Sequence, residues 1–221
     1  LKKKKESLVF DDENNDFKIN IIKKIQNKIE IDYSEKDLNI LENESFLNLH
    51  VDNLKIFNNI DYNLLHYDEK WIKNLYIESY NNIELNYTEL NSFSELIMEK
   101  TKINLVITSG VKSTDVLEKF KSKMTKINSH IYVRKINNIS LYYINQPSLY
   151  ELIFLINKSK LCITCHGAPT HIASSFKVKT IDIIDNSKVR LYRSYTSHLK
   201  NYNEVIRENS RSTVEKIMNL L

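Results

Sequence analysis

Glycine, proline and cysteine are scarce in this 221-residue chain, at two each. No apolar run approaches the length of a transmembrane helix, and no signal-peptide pattern follows Lys2–Lys5. The expectation for location is therefore cytoplasmic. The basic residues leave a net charge of +4 but are scattered, without the stripe of basic and aromatic residues that marks a nucleic-acid binder. The cysteines form Cys162-Ile-Thr-Cys165-His166, literally a haem-attachment pattern. Haem attachment requires export, which nothing here indicates, and the pattern lies in an apolar run. A zinc site needs four good ligands. Cys162, Cys165, His166 and His171 carry the right atoms, but strand alternation turns Cys162 toward the core. We expect two reduced cysteines packed as small hydrophobes, with no metal and no cofactor.

What is present is enough for a sizeable core in one or two domains. Asn, Lys, Ile and Tyr are abundant, which reads as genome bias rather than chemistry. Residues 1–60 read as an N-terminal segment and 61–221 as a nucleotide-binding domain. In the first segment, Phe17, Ile21, Ile22, Ile25 and Ile29 recur at helical spacing. Short apolar patches at Phe46–Val51 and Leu54–Ile60 suggest strands. The four-lysine start reads as a solvated terminus, and it also suits a peripheral contact with an anionic membrane face. The sequence opens at Leu1 rather than Met, as a fragment would.

The most informative stretch is Leu161–Asp185, LCITCHGAPTHIASSFKVKTIDIID. Its pattern predicts a strand at Leu161–Ile163, a turn at Thr164–Gly167, a helix at His171–Phe176 and a strand at Thr180–Ile184. Gly167 sits where strand must become helix, a place that calls for φ > 0 or a close ligand approach. Pro169 suits a first helical turn. The free amides and the positive dipole end of such a helix attract anions. The expectation is a phosphate or carboxylate pocket at Gly167, Ala168 and Pro169, flanked by His166, Thr170 and His171. The bland alternative is a βα turn that binds nothing.

Similar units precede it. Tyr62–His66 is a short strand candidate followed directly by Lys70 and Trp71, and an ammonium on a strand-end loop can neutralise a diphosphate. The bland alternative is a surface lysine paired with Glu69 or Asp68. Glu89–Lys100 shows a helical apolar face, and Ile103–Ile107 reads as a strand buried on both sides. That strand leads to Thr108-Ser109-Gly110, with Ser113 and Thr114 as cap candidates for a helix running to about Met124. Ile131–Val133 and Ser140–Ile144 are further strand candidates, before a helix at Leu149–Ile156. Arg190 and Arg193 are expected on a loop after Asp185, and Ser212–Leu221 closes as a helix. The fold class expected is α/β, a Rossmann-like parallel sheet with flanking helices, both glycines lying at strand C-termini where such sheets bind ligands.

From Tyr62 onward the chain resembles the donor-binding, C-terminal half of heptosyltransferase-like glycosyltransferases (family nine of the two-Rossmann-domain, GT-B class). That family shows Asn-Asp-Ser-Gly-Pro-Met-His between strand and helix. Pro169 and His171 match, small residues follow at Ala173, Ser174 and Ser175, and His166, Gly167 and Ala168 replace the family's Asp, Ser and Gly. Lys70 beside Trp71 matches the family's phosphate-binding lysine, and Glu151 and Leu152 match its Leu-x-Glu-Leu-rich helix. The resemblance implies a nucleotide diphosphate sugar as donor, bound by Lys70, Ser109, Gly110, His166, Gly167, Ala168, Pro169, Thr170, His171 and Arg190. It also implies a base cradled by the loop at Tyr143, Ile144 and Asn145, extending to Gln146. The activity implied is glycosyl transfer to a cell-surface glycan or glycolipid acceptor, with peripheral contact at the inner membrane face. The family's catalytic base lies in the other domain, so no catalytic residue follows for this chain. The other reading is a non-catalytic nucleotide-binding or interaction module with half of that fold.

Overall fold

A computed structural model describes residues 51–72, 75 and 80–221. The helix expected at Phe17–Ile29 and most of the patch at 46–51 lie outside the described residues.

The framework is an eight-stranded sheet: β1 (Tyr62–Tyr67), β2 (Asn104–Ser109), β3 (Thr125–Lys126), β4 (Ile131–Ile136), β5 (Ile139–Ile144), β6 (Leu161–Cys165), β7 (Lys179–Asp185) and β8 (Tyr202–Arg207). Its order is β3-β4-β5-β2-β1-β6-β7-β8. The six strands from β5 to β8 are parallel, including the three expected as central parallel strands. The sheet is nonetheless mixed, because β4 runs antiparallel to β5 and β3 antiparallel to β4. Only Asn137 and Asn138 join β4 to β5, with Asn137 left-handed at φ 55°. Two residues can close an antiparallel hairpin but never a parallel crossover.

Every side chain of β1 and β6 is buried, as expected for strands covered on both faces. Successive residues feed two separate cores. Leu65, Tyr67, Ile107, Ile163, Cys165 and Ile183 pack on one face, and Tyr62, Leu64, Val106 and Cys162 on the other. Both cysteines are therefore inside, and burial pushes their thiols well above the ordinary range.

The helices begin where their caps dictate. α1 (Tyr87–Thr101) opens on a reciprocal box in which Asn86 Oδ1 accepts from Glu89 N at 3.0 Å and Glu89 Oε2 accepts from Asn86 N at 2.8 Å. α2 (Asp115–Ser122) is capped by Thr114, and α3 (Leu149–Lys158) opens on a Ser148–Glu151 box. α4 (Ala168–Ser175) has Pro169 in its first turn. α5 (Val189–Thr196) follows β7, and Asn209 caps α6 (Ser210–Leu220). Among the described residues no helix is long and apolar enough to cross a membrane.

Three local expectations change. Residues 52–59 form a 3-10 helix rather than a strand. Val51, Leu54 and Phe57 recur every third residue, and that is the period of a 3-10 stripe, here buried in the second core. Arg190 and Arg193 lie on helix α5 rather than on a loop, and Arg193 donates to both oxygens of Glu204. β8 was not anticipated: its sequence YNEVIR is half polar, as an edge strand tolerates, and it is specified by pairing with β7.

Candidate functional site

The direction of the sheet reverses at one place. From β1 the chain moves outward to β2 and on to the edge strands β3 and β4, returns inward to β5, then recrosses to β6 on the other side of β1 and moves outward to β7 and β8. Crevices at such reversals, outside the carboxyl ends of the strands, are where open α/β sheets bind ligands. The residues there are Asp68–Trp71 after β1 and His166–Thr170 after β6.

The β1 side is fixed by its own turn. Asp68 accepts from Lys70 N at 3.1 Å, and Trp71 Nε1 donates to His66 O at 3.1 Å while stacking on Tyr67 at 4.7 Å. Lys70 Nζ stands 3.0 Å from Asp68 Oδ2, with both side chains largely buried. The lysine is thus held inward rather than left on the surface, and the pairing with Asp68 foreseen in the bland alternative is also present. Behind it, His66 Nδ1 lies 2.8 Å from Thr108 Oγ1 and Nε2 lies 3.6 Å from Asp68. Burial outweighs the attraction of Asp68 and lowers the His66 pKa, so the ring favours its neutral form.

The β6 side meets it at Gly167. A β-carbon added to Gly167 would fall 2.6 Å from Lys70 Nζ. Glycine is needed here for this close approach and not for a left-handed backbone, since its φ of 161° is ordinary extended chain. Gly167 also offers α4 no capping side chain, and its N–H lies 3.4 Å from Thr170 Oγ1. A lysine ammonium is thereby brought to the positive end of α4, two positive poles that an anion would bridge. Pro169 and Thr170 are buried, while Ala168 and His171 are exposed.

Next to Gly167 lies a polar network. Asp182, fully buried on β7, accepts from His166 Nδ1 at 2.7 Å, Thr170 Oγ1 at 2.9 Å and Tyr202 OH at 3.0 Å. Burial and then the Asp182 charge push the Tyr202 phenol up. The His166 ring packs against Tyr192 of α5 at 4.0 Å, tilted by 33°, and meets His171 edge-on at 5.5 Å. Tyr192 in turn hydrogen-bonds Tyr80.

The remaining candidates are distributed around this centre. Gly110 packs against the β1 turn: a β-carbon there would collide with Glu69 Oε2, a buried oxygen without a hydrogen-bond partner among the described residues. Ser109 Oγ accepts from Gln146 N at 2.6 Å, which ties the ends of β2 and β5. Tyr143 and Ile144 are fully buried, and Asn145 accepts from Tyr143 OH at 2.9 Å while its N–H donates to His130 O. The Tyr143 phenol is pushed up to about 12, chiefly by burial. Arg190 is exposed on α5.

Sequence reasoning did not single out Asp182, Tyr202, Tyr192 or Arg207. Asp182 had one visible mark, a carboxylate inside the apolar run TIDIID. Arg207 is fully buried, donates to Asn81 O at 2.6 Å, and packs over Tyr80 at 4.9 Å. A cavity of about 570 Å³ lined by Asn81, Asn186, Glu204, Arg207, Glu208 and Lys216 runs beside β8 and α6.

No protein-family model matches the chain, and no curated protein sequence matches it. Among solved structures it is similar to Methanocaldococcus jannaschii UDP-GlcNAc 2-epimerase in complex with UDP-GlcNAc and UDP. There the identity is 16% over 80% of this chain and 44% of that one, with a TM-score of 0.48. A second structure of UDP-GlcNAc 2-epimerase from the same organism gives 18% identity over 81% and 44%, with a TM-score of 0.45. The chain spans less than half the length of either.

Proposed function

We propose that the β1–β6 crevice binds the diphosphate of a nucleotide sugar. On this reading the chain is the donor-binding half of a glycosyltransferase acting on a cell-surface glycan or glycolipid. The observation that carries the reading is the convergence of Lys70 and Gly167, two residues 97 positions apart, at the point where the sheet reverses. The ammonium, the bare glycine and the positive dipole end of α4 supply what a diphosphate needs: positive charge and close backbone access. The resemblance of Lys70, Pro169 and His171 to the family-nine donor pattern supports the reading independently of that geometry, although Gly167 stands where that family has Ser. Ser109 and Gly110 at the end of β2 and the Asn145–Gln146 backbone at the end of β5 extend the crevice toward the nucleoside.

The test is calorimetric titration of the full chain with UDP, ADP and GDP, alongside Lys70→Ala and Gly167→Ala. Loss of a charge-assisted contact predicts a roughly tenfold to hundredfold weaker Kd for Lys70→Ala. Gly167→Ala places a methyl 2.6 Å from a flexible lysine tip, so it should displace the ammonium and weaken binding while the protein stays folded. If none of the three nucleotides binds wild type, or both variants bind as wild type does, the reading is wrong.

A further inference from the structure

The cavity beside β8 has in its wall a side chain whose bonding is incomplete. Arg207, at the end of β8, is fully buried, and its three nitrogens are unequally served. Nη2 donates to Asn81 O at 2.6 Å, while Nε stands 4.0 Å from Asp185 Oδ2, too far for a hydrogen bond. Nη1 has no partner among the described residues, although it is shut off from bulk solvent. Buried donors without acceptors are costly, and native proteins keep few of them. The cavity that Arg207 helps to line, about 570 Å³, is of the size small-molecule sites occupy, about 300–1,000 Å³. Three exposed asparagines line it too: Asn81 ahead of α1, Asn186 after β7 and Asn219 on α6. None of their carboxamides hydrogen-bonds another described residue. Val205, Ile206 and Leu220 add apolar surface.

Charge decides which ligand suits this set. Glu204 already accepts from Arg193, at 3.0 and 3.1 Å, and Glu208 pairs with Lys216 at 2.7 Å. Asp185 faces Arg207 itself. An anion would therefore find every positive charge here matched, with three carboxylates close by to repel it. A metal ion is no better served, since no group of three or more His, Cys, Asp or Glu among the described residues could hold one. What stays open is neutral hydrogen-bonding capacity: donors on Arg207, and a donor and acceptor on each carboxamide. A sugar hydroxyl is likewise both donor and acceptor, and a sugar ring also presents C–H groups to apolar surface. We propose that this cavity binds a neutral saccharide, with one hydroxyl accepting from Arg207 Nη1 and others shared among Asn81, Asn186 and Asn219. None of its described lining residues belongs to the β1–β6 crevice, so the inference does not rest on the diphosphate reading.

The experiment is saturation-transfer NMR of the full chain with glucose, galactose, mannose and N-acetylglucosamine, beside glucuronate, inorganic phosphate and glycerol. At least one neutral sugar should bind, and more tightly than glucuronate, phosphate or glycerol. Asn186→Ala and Asn219→Ala should each weaken that sugar roughly twofold to tenfold, the worth of one neutral hydrogen bond. Their carboxamides have no partner to lose, so both variants should unfold at the wild-type midpoint. Asn219→Trp, which fills the cavity from the exposed side of α6, should abolish binding. Lys70→Ala and an excess of UDP should leave it unchanged. In ¹⁵N spectra the Arg207 side-chain resonances should move when the sugar is added, and stay still in Asn219→Trp. The inference is overturned if no neutral sugar binds, if glucuronate, phosphate or glycerol binds at least as tightly, or if all three asparagine variants bind as wild type does. Displacement of the sugar by UDP would also overturn it and move the sugar to the crevice. Sugar binding in a chain that binds no nucleotide would support this site and overturn the diphosphate reading alone.

Discussion

His66 and Thr170 show how single polar residues are reconciled with burial. His66 is 5% exposed on a core strand and is tolerated because Thr108 bonds its ring. Its pKa is lowered in the folded protein, chiefly by burial, so the unfolded chain binds the extra proton more readily. Its contribution to stability is therefore fully present above the unfolded histidine pKa of about 6.5 and is lost as pH falls below it. Thermal unfolding followed from pH 7.5 to 5 should show a steeper loss in wild type than in His66→Gln, and equal slopes would contradict the assignment. Thr170→Val presents a simpler case. It keeps the shape but removes one of three donors to a buried carboxylate, at an expected cost of about 1–3 kcal/mol in denaturant unfolding.

At the scale of elements, caps and strand context act separately. The Asn86–Glu89 box fixes the start of α1, and Asn86→Ala should cost about 1 kcal/mol, readable as a shift in unfolding midpoint without loss of nucleotide binding. α4 lacks such a cap. Gly167 gives its first turn no side-chain acceptor, the opposite of what helix stability alone favours, and this leaves the helix start open toward Lys70. Asp185 closes β7 in a different way. Burial raises its pKa, but hydrogen bonds from Ser187 and Asn81 and the nearby Arg207 outweigh it, so the net shift is downward. That stabilisation is present above the unfolded aspartate pKa of about 3.9 and is lost as pH falls through the lower folded value. Asp185→Asn should accordingly be destabilised relative to wild type at pH 7, and the gap should narrow in strong acid.

For the whole molecule, the 3-10 segment at 52–59 matters more than its position near the expected boundary at residue 60 implies. Leu54 and Phe57 are buried against Tyr62, and Phe57 meets the rings of Tyr62 and Tyr142 edge-on at 5.5 and 5.1 Å. Leu54→Ala and Phe57→Ala should each cost about 2–5 kcal/mol, as for other core truncations. Stability indistinguishable from wild type would mean the segment is not part of this core.

The sequence by itself determined the parallel βα units. The runs at 103–107, 161–163 and 181–184 read as buried strands because they are apolar apart from Asn104 and Asp182, and cap residues such as Thr114 and Ser148 mark helix starts through local bonds. Gly167 and Lys70 were legible one at a time, as a strand-to-helix turn and a strand-end ammonium, because each rests on neighbours close in the chain. Tertiary structure alone decided that they meet, since the crossing from β5 back over β1 to β6 depends on sheet order, which no local pattern encodes. It also decided β8, whose half-polar sequence becomes a strand only against β7, and the role of Asp182. A carboxylate in an apolar strand is costly on its own, and it becomes favourable only when His166, Thr170 and Tyr202 arrive from other elements to bond it.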